Sequence, residues 1–229
     1  MESCKKYAGI FSVIGGILIH ICYGYLYTIG NMSKYLESYF LYYEDKIFRR
    51  GMCIWFTALA FACQGISMPI GGMFQKRYGC KPTILISSLI HVLSIVLSYF
   101  SIKRGFIYMI FTYGIMMAIG IGFAYSVVLD TASGWFPEKK GLIVGMILSG
   151  FGFGAIIFTP VQTAIINPAN IPMNSTTKIF TDAKIIKQVP NSFLVLGCFL
   201  TCIHIIGNLL IQSNPAPVSF NFIILTHIY

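Results

Sequence analysis

The sequence predicts an all-α, polytopic membrane protein that crosses the bilayer six times, and three observations carry that prediction. Of its 229 residues 56% are hydrophobic and only 10% charged, with a mean hydropathy of +0.77, too little polar surface to clothe a soluble globule. The apolar residues gather into six runs, at about 8–30, 52–74, 83–101, 105–129, 142–166 and 193–212. Each is near the ~20 residues that a helix rising ~1.5 Å per residue needs to cross a ~30 Å hydrocarbon core. Lys and Arg fall outside these runs, where headgroups and water solvate them.

That placement also disposes of other classes. A net charge of +9 on a soluble protein would point to nucleic acid; here the cations read as headgroup-contacting loops, and no nucleic-acid partner is expected. The seven cysteines lie mostly inside apolar runs without C-x-x-C spacing, so they read as small apolar packers rather than a disulfide framework or a metal site. No metal, cofactor or catalytic group is expected, because no acid, base and nucleophile gather in one stretch. The first run follows Lys5-Lys6 but is too long for a signal-peptide core and has no small-x-small cleavage site, so it reads as a retained span.

In order, the first run carries Gly15, Gly16, Gly24 and Gly30, which allow neighbouring helices to approach. Residues 31–50, with Tyr35, Tyr39, Tyr42 and Tyr43 among charged residues, read as an amphipathic interfacial linker. The second run ends in the polar stretch Gly71 to Pro82, and the third begins at Pro82, whose missing N–H costs nothing in a first helical turn. Lys103-Arg104-Gly105 makes the next turn, and Trp135 to Gly141 connects the fourth run to the fifth. Residues 167–191 read as the longest loop before the sixth run, and 213–229 as a tail that lies on the membrane or is poorly ordered, too short to cross it. Gly150-x-Gly152-x-Gly154 lies within an apolar run without a preceding strand or a P-loop lysine, so it serves helix packing rather than a nucleotide.

An internal repeat appears at an offset of 98: Gly16, Ile17, Ile21, Gly24 and Tyr27 recur as Gly114, Ile115, Ile119, Gly122 and Tyr125. The following runs also begin alike, Arg49-Arg50-Gly51-Met52 against Lys139-Lys140-Gly141-Leu142. Three spans separate the copies, so they enter from opposite sides: an inverted 3+3 repeat of the secondary-transporter kind. Orientation is less determined. With the N-terminus inside, seven Lys and Arg lie inside and nine outside, against the positive-inside trend. The acceptor pattern Asn174-Ser175-Thr176 would favour that orientation by placing the long loop outside.

Gly72-x-x-x-Lys76-Arg77-x-Gly79-x-Lys81 resembles the loop between the second and third helices of the major facilitator superfamily, with Lys76 where the family has Asp. Trp135-Phe136-Pro137-Glu138-Lys139-Lys140-Gly141-Leu142, Gly145 and Ser149 to Gly154 are similar to the fourth-to-fifth helix connection of its oxalate/formate antiporter and monocarboxylate transporter branch, as is Tyr27-Thr28-Ile29-Gly30-Asn31. The resemblance spans 10–212 and implies that 1–212 is the amino-terminal six-helix half of a twelve-helix transporter.

It further implies that the first and fourth helices line a substrate cavity. Helical spacing then puts His20, Gly24, Tyr27 and Asn31 on one face, with Ala118, Gly122, Tyr125 and Leu129 as repeat mates. His20, Tyr27, Asn31 and Tyr125 are the cavity candidates: the tyrosines to hydrogen-bond a carboxylate, His20 to carry a coupling proton or touch the anion. Packing, interfacial anchoring and a plain helix-carbonyl hydrogen bond are the competing readings, and the last is expected of His91 and His204. Gly72, Arg77, Gly79, Lys81 and Asp130 form the candidate gating loop, in which similar transporters pair an acid at Asp130 with the arginine at Arg77. The expected function is transport of a small carboxylate by alternating access, in the plasma membrane by preference, with a second copy or a full-length transporter as possible partner. The alternative is a truncated, non-transporting chain that modulates such a transporter.

Overall fold

The computed structural model describes residues 2–213, and every regular element among them is helical. In order these are α1 (Glu2–Tyr23), a 3-10 turn (Gly24–Thr28), α2 (Ile29–Tyr42), α3 (Ile54–Tyr78), α4 (Cys80–Arg104), α5 (Phe106–Met109), a π-helical stretch (Ile110–Met116), α6 (Met117–Ser133), a 3-10 turn (Pro137–Lys139), α7 (Lys140–Ile166) and α8 (Ala183–Leu210). Joined end to end they give six helices long and apolar enough to cross a membrane: Tyr7–Tyr42, Ile54–Tyr78, Cys80–Arg104, Phe106–Ser133, Pro137–Ile166 and Ala183–Leu210. The six-span α-helical architecture read from the sequence is the observed one. The expectation for the tail at 213–229 lies, but for its first residue, outside the described residues.

The helices overrun the apolar runs, because hydropathy marks the hydrocarbon-facing stretch and not the helix end. Residues 31–42 are not a linker along the interface: α2 continues the first span and buries Met32, Tyr35, Leu36, Tyr39 and Phe40, packing against α8. Likewise α8 starts at Ala183, capped by the Asp182 carboxylate accepting from the Lys184 backbone N–H at 2.7 Å, and carries Pro190 within it.

The packing follows the inverted repeat. The fourth span packs on the second and third; the first packs on the fifth and sixth; the third and sixth pack on each other, and the first touches the fourth. Exchanging spans one to three with four to six maps this set onto itself. The closest approaches obey the same exchange. Gly24 lies against the Phe151 carbonyl and the Gly154 Cα, and its mate Gly122 against Ser67 Oγ and the Gln64 carbonyl. At the offset of 90 that aligns Gly51 with Gly141, Gln64 corresponds to Gly154. Any side chain at these two glycines would collide with backbone of the facing helix.

The two central spans are also the most enclosed, with 67% of the first span's apolar window and 50% of the fourth's buried. At one end of the bundle the chain closes on itself: Gln212 N–H donates to Ser12 Oγ (2.9 Å), Trp135 Nε1 donates to the Gln212 carbonyl (3.2 Å) and Lys81 Nζ donates to Gln212 Oε1 (3.3 Å). The start of the first span, the second-to-third turn, the fourth-to-fifth connection and the end of the sixth span thus share one face, as six crossings require.

Candidate functional site

His20, Tyr27 and Tyr125 gather round a single ring that the sequence reading passed over, Phe151 of the fifth span. Its centroid lies 4.8 Å from Tyr27, 5.3 Å from Tyr125 and 6.4 Å from His20, all edge-to-face, while His20 and Tyr125 are 5.0 Å apart. Such contacts hold aromatic groups in fixed relative orientation. Backbone geometry places them: the glycine contact at Gly24 and Gly154 brings the first and fifth spans together, and Phe151 sits one turn before Gly154.

Exposure differs across the cluster. His20 is fully buried, its Nδ1 3.1 Å from the Gly16 carbonyl and its Nε2 without a hydrogen-bond partner. Tyr27 is 49% exposed and Tyr125 partly buried, and neither hydroxyl has a hydrogen-bond partner among the described residues. The cluster therefore offers two uncommitted phenols above a buried imidazole with one free nitrogen.

Asn31 sits apart from that ring cluster. Its Nδ2 donates to Gln162 Oε1 (3.1 Å), Gln162 Nε2 donates to Thr28 Oγ1 (2.7 Å), and Thr28 Oγ1 donates to the Tyr25 carbonyl (2.7 Å). This chain of amides and hydroxyls ties the first span to the fifth beside the 3-10 turn. Gln162 was legible as the single amide side chain in the fifth apolar run, and an amide in hydrocarbon demands partners.

His91 and His204, expected to bond helix carbonyls, instead bond each other: His91 Nδ1 and His204 Nε2 are 2.9 Å apart, joining the third and sixth spans. The Tyr23 ring lies 5.7 Å from each, and its hydroxyl meets Ser87 Oγ.

The polar stretch Gly71 to Pro82 is mostly helix. Gly72, Lys76 and Arg77 belong to α3, and the turn reduces to Gly79 at φ +90°, a backbone that favours glycine. The close helix approach falls on Gly71, packed on the Phe123 carbonyl, whereas nothing lies within 4 Å of a side chain built at Gly72. Asp130 does not meet Arg77 in this structure. Its carboxylate lies 3.9 Å from Lys140 Nζ and accepts from Gln75 Nε2 at 3.4 Å, and Arg77 lies 5.4 Å from the Tyr78 ring. Residues two apart on a helix point in different directions, so the turn that aims Gln75 at the fourth span aims Arg77 away. The resulting tie joins the second, fourth and fifth spans at one end of the bundle.

Among the described residues no three His, Cys, Asp or Glu are placed to hold a metal ion. Comparison with known proteins gives a consistent assignment. The chain is 26% identical to apicoplast pyruvate carrier 1 of Toxoplasma gondii over 94% of the chain and 48% of that protein. It is 24% identical to apicoplast pyruvate carrier 2 of the same organism over 87% and 36%, and 25% identical to monocarboxylate transporter 9 of Rattus norvegicus over 64% and 27%. It thus spans less than half the length of each. The family model described as Major Facilitator Superfamily matches residues 48–221. With six membrane-spanning helices packed in that arrangement, the chain belongs to the major facilitator superfamily of multi-pass membrane transporters.

Proposed function

We propose that this chain forms one six-helix body of a carrier that moves a small monocarboxylate by alternating access. The ring cluster carries the reading: Tyr27 and Tyr125 present free hydroxyls from the two repeat-related spans, beside the unpaired Nε2 of His20. Two phenolic O–H groups can each donate to one carboxylate oxygen, and His20 can take a coupling proton or donate to the anion. Hydrogen bonds to a charged group contribute roughly 1.5–3 kcal/mol each. The relatives named as pyruvate carriers and monocarboxylate transporters favour this substrate class over other anions.

The site as it stands lacks a countercharge. Among the described residues the Lys and Arg lie toward the ends of the spans or in the connections, and an anion buried without a cation costs several kcal/mol. The reading therefore requires a second six-helix body facing Tyr27 and supplying that charge, with the Asp130–Lys140–Gln75 tie breaking and reforming as the bodies rock.

The test is uptake of labelled lactate or pyruvate by the Tyr27→Phe/Tyr125→Phe double variant. The expected result is a loss of kcat/KM of about tenfold or more, from two charge-assisted hydrogen bonds. Unchanged uptake would remove the tyrosines from the site. The lack of a countercharge beside the ring cluster among the described residues favours a second reading, a non-transporting subunit that binds a full-length transporter. In that case co-purification with such a transporter persists while the chain alone shows no uptake.

A further inference from the structure

At the end of the bundle opposite the Gly79 turn, a cavity of about 870 Å³ opens between the first-to-second connection, the third-to-fourth turn and the sixth span. None of the ring-cluster residues lines it. Its wall carries Lys46, Lys103, Arg104 and Lys187, from three separate parts of the chain, against Glu44 and Asp45. Asp45 is already committed: its Oδ1 accepts from the backbone N–H of Ile47 (2.9 Å) and Phe48 (3.2 Å), and its Oδ2 from that of Phe106 (2.8 Å). Those three bonds fold the turn that forms the cavity wall and cap the start of the fourth span. None of the four cations forms an ion pair among the described residues. Lys103 Nζ is held over the Tyr99 ring at 3.6 Å.

The remainder of the lining is apolar and aromatic. Ile102 and Phe106 are buried at the base, and Ile107 (44% exposed) and Tyr108 (53% exposed) turn outward along the fourth span. Arg104 closes the third span and Phe106 opens the fourth, and Lys187 lies in the second turn of α8. A cationic rim at the span ends above an apolar wall running toward the bilayer interior matches an anionic glycerophospholipid, headgroup phosphate at the rim and acyl chain along the wall. A small soluble anion would use the rim and leave the wall bare.

We propose that this cavity binds the headgroup of an anionic phospholipid. The proposal is independent of the transport reading, since its test needs no uptake. The purified chain in detergent is mixed with equal amounts of phosphatidylglycerol and phosphatidylcholine, and retained lipid is counted by native mass spectrometry. The expected result is a preference for phosphatidylglycerol on the order of tenfold or more, from several cations gathered round one anionic headgroup. Lys103→Gln/Arg104→Gln/Lys187→Gln should abolish the preference while keeping the thermal unfolding midpoint. Lys178→Gln/Lys184→Gln, at the same end but outside the cavity, should leave it intact. Equal retention of both lipids by the unaltered chain, or an undiminished preference in the triple variant, would overturn the proposal. Displacement of the lipid by millimolar inorganic phosphate would overturn it too, by showing a site for a free anion.

Discussion

The first and fourth spans are copies of one another in position but not in chemistry. Gly24 and Gly122 make matching close approaches, to the fifth and second spans, so the repeat fixes how helices meet. Among the other mated positions on the cavity face, His20 faces Ala118 in the alignment and Asn31 faces Leu129, while Tyr27 and Tyr125 agree. Backbone departures fall in different places as well, a 3-10 turn at Gly24–Thr28 in the first span and a π-helical stretch at Ile110–Met116 in the fourth. Such segments depart from the regular α-helical hydrogen-bond pattern and recur at functional sites. The difference teaches that the duplicated part is the packing. The His20 imidazole and the Asn31 amide have no counterpart at the mated positions of the fourth span, Ala118 and Leu129.

The largest effect should come from breaking the shared part. Gly24→Ala and Gly122→Ala should each lower stability by about 3 kcal/mol or more, since the facing atoms include backbone that cannot rotate away. Gly152→Ala, with nothing within 4 Å, should be neutral within about 0.5 kcal/mol. Thermal unfolding in detergent checks all three, and equal losses at Gly24 and Gly152 would deny the close approach. The next largest effect probes the asymmetric part. Gln162→Leu leaves Asn31 and Thr28 without their partner and should cost about 1–3 kcal/mol, read in the same assay.

Smaller effects sharpen the comparison further. His20→Ala should alter the pH profile of uptake, whereas Ala118→Gly at the mated position should not; an unchanged rate and profile for His20→Ala would exclude His20 from coupling. Asp130→Asn should change stability by only about 0–1 kcal/mol, because the pair with Lys140 is long at 3.9 Å and the lysine is 38% exposed.

Much of the fold was legible because it depends on composition along one dimension: apolar run length gave six spans, and the repeat gave their inverted 3+3 relation. What was not legible depends on helix phase. Gly71 and Gly72 differ by one step of about 100° round the helix, and only the first meets Phe123. Gln75 and Arg77 differ by two steps, and only the first reaches Asp130. Phe151 was hidden for another reason: an apolar ring in an apolar run gives no sign of its partners, and its place emerges only when the first, fourth and fifth spans converge on it. Helix ends were blurred because polar residues such as Asn31 and Ser38 stay helical where another span covers them.

The central claim is that the face bearing Tyr27, Tyr125 and His20 handles a monocarboxylate. It is tested most directly by uptake of labelled lactate, formate and oxalate into proteoliposomes holding this chain together with a second six-helix body that supplies the countercharge, with Tyr27→Phe/Tyr125→Phe in parallel. The account predicts saturable uptake of a monocarboxylate that falls about tenfold or more in the double variant. Uptake no greater than in empty liposomes for all three anions, or uptake unaffected by the double variant, would contradict it.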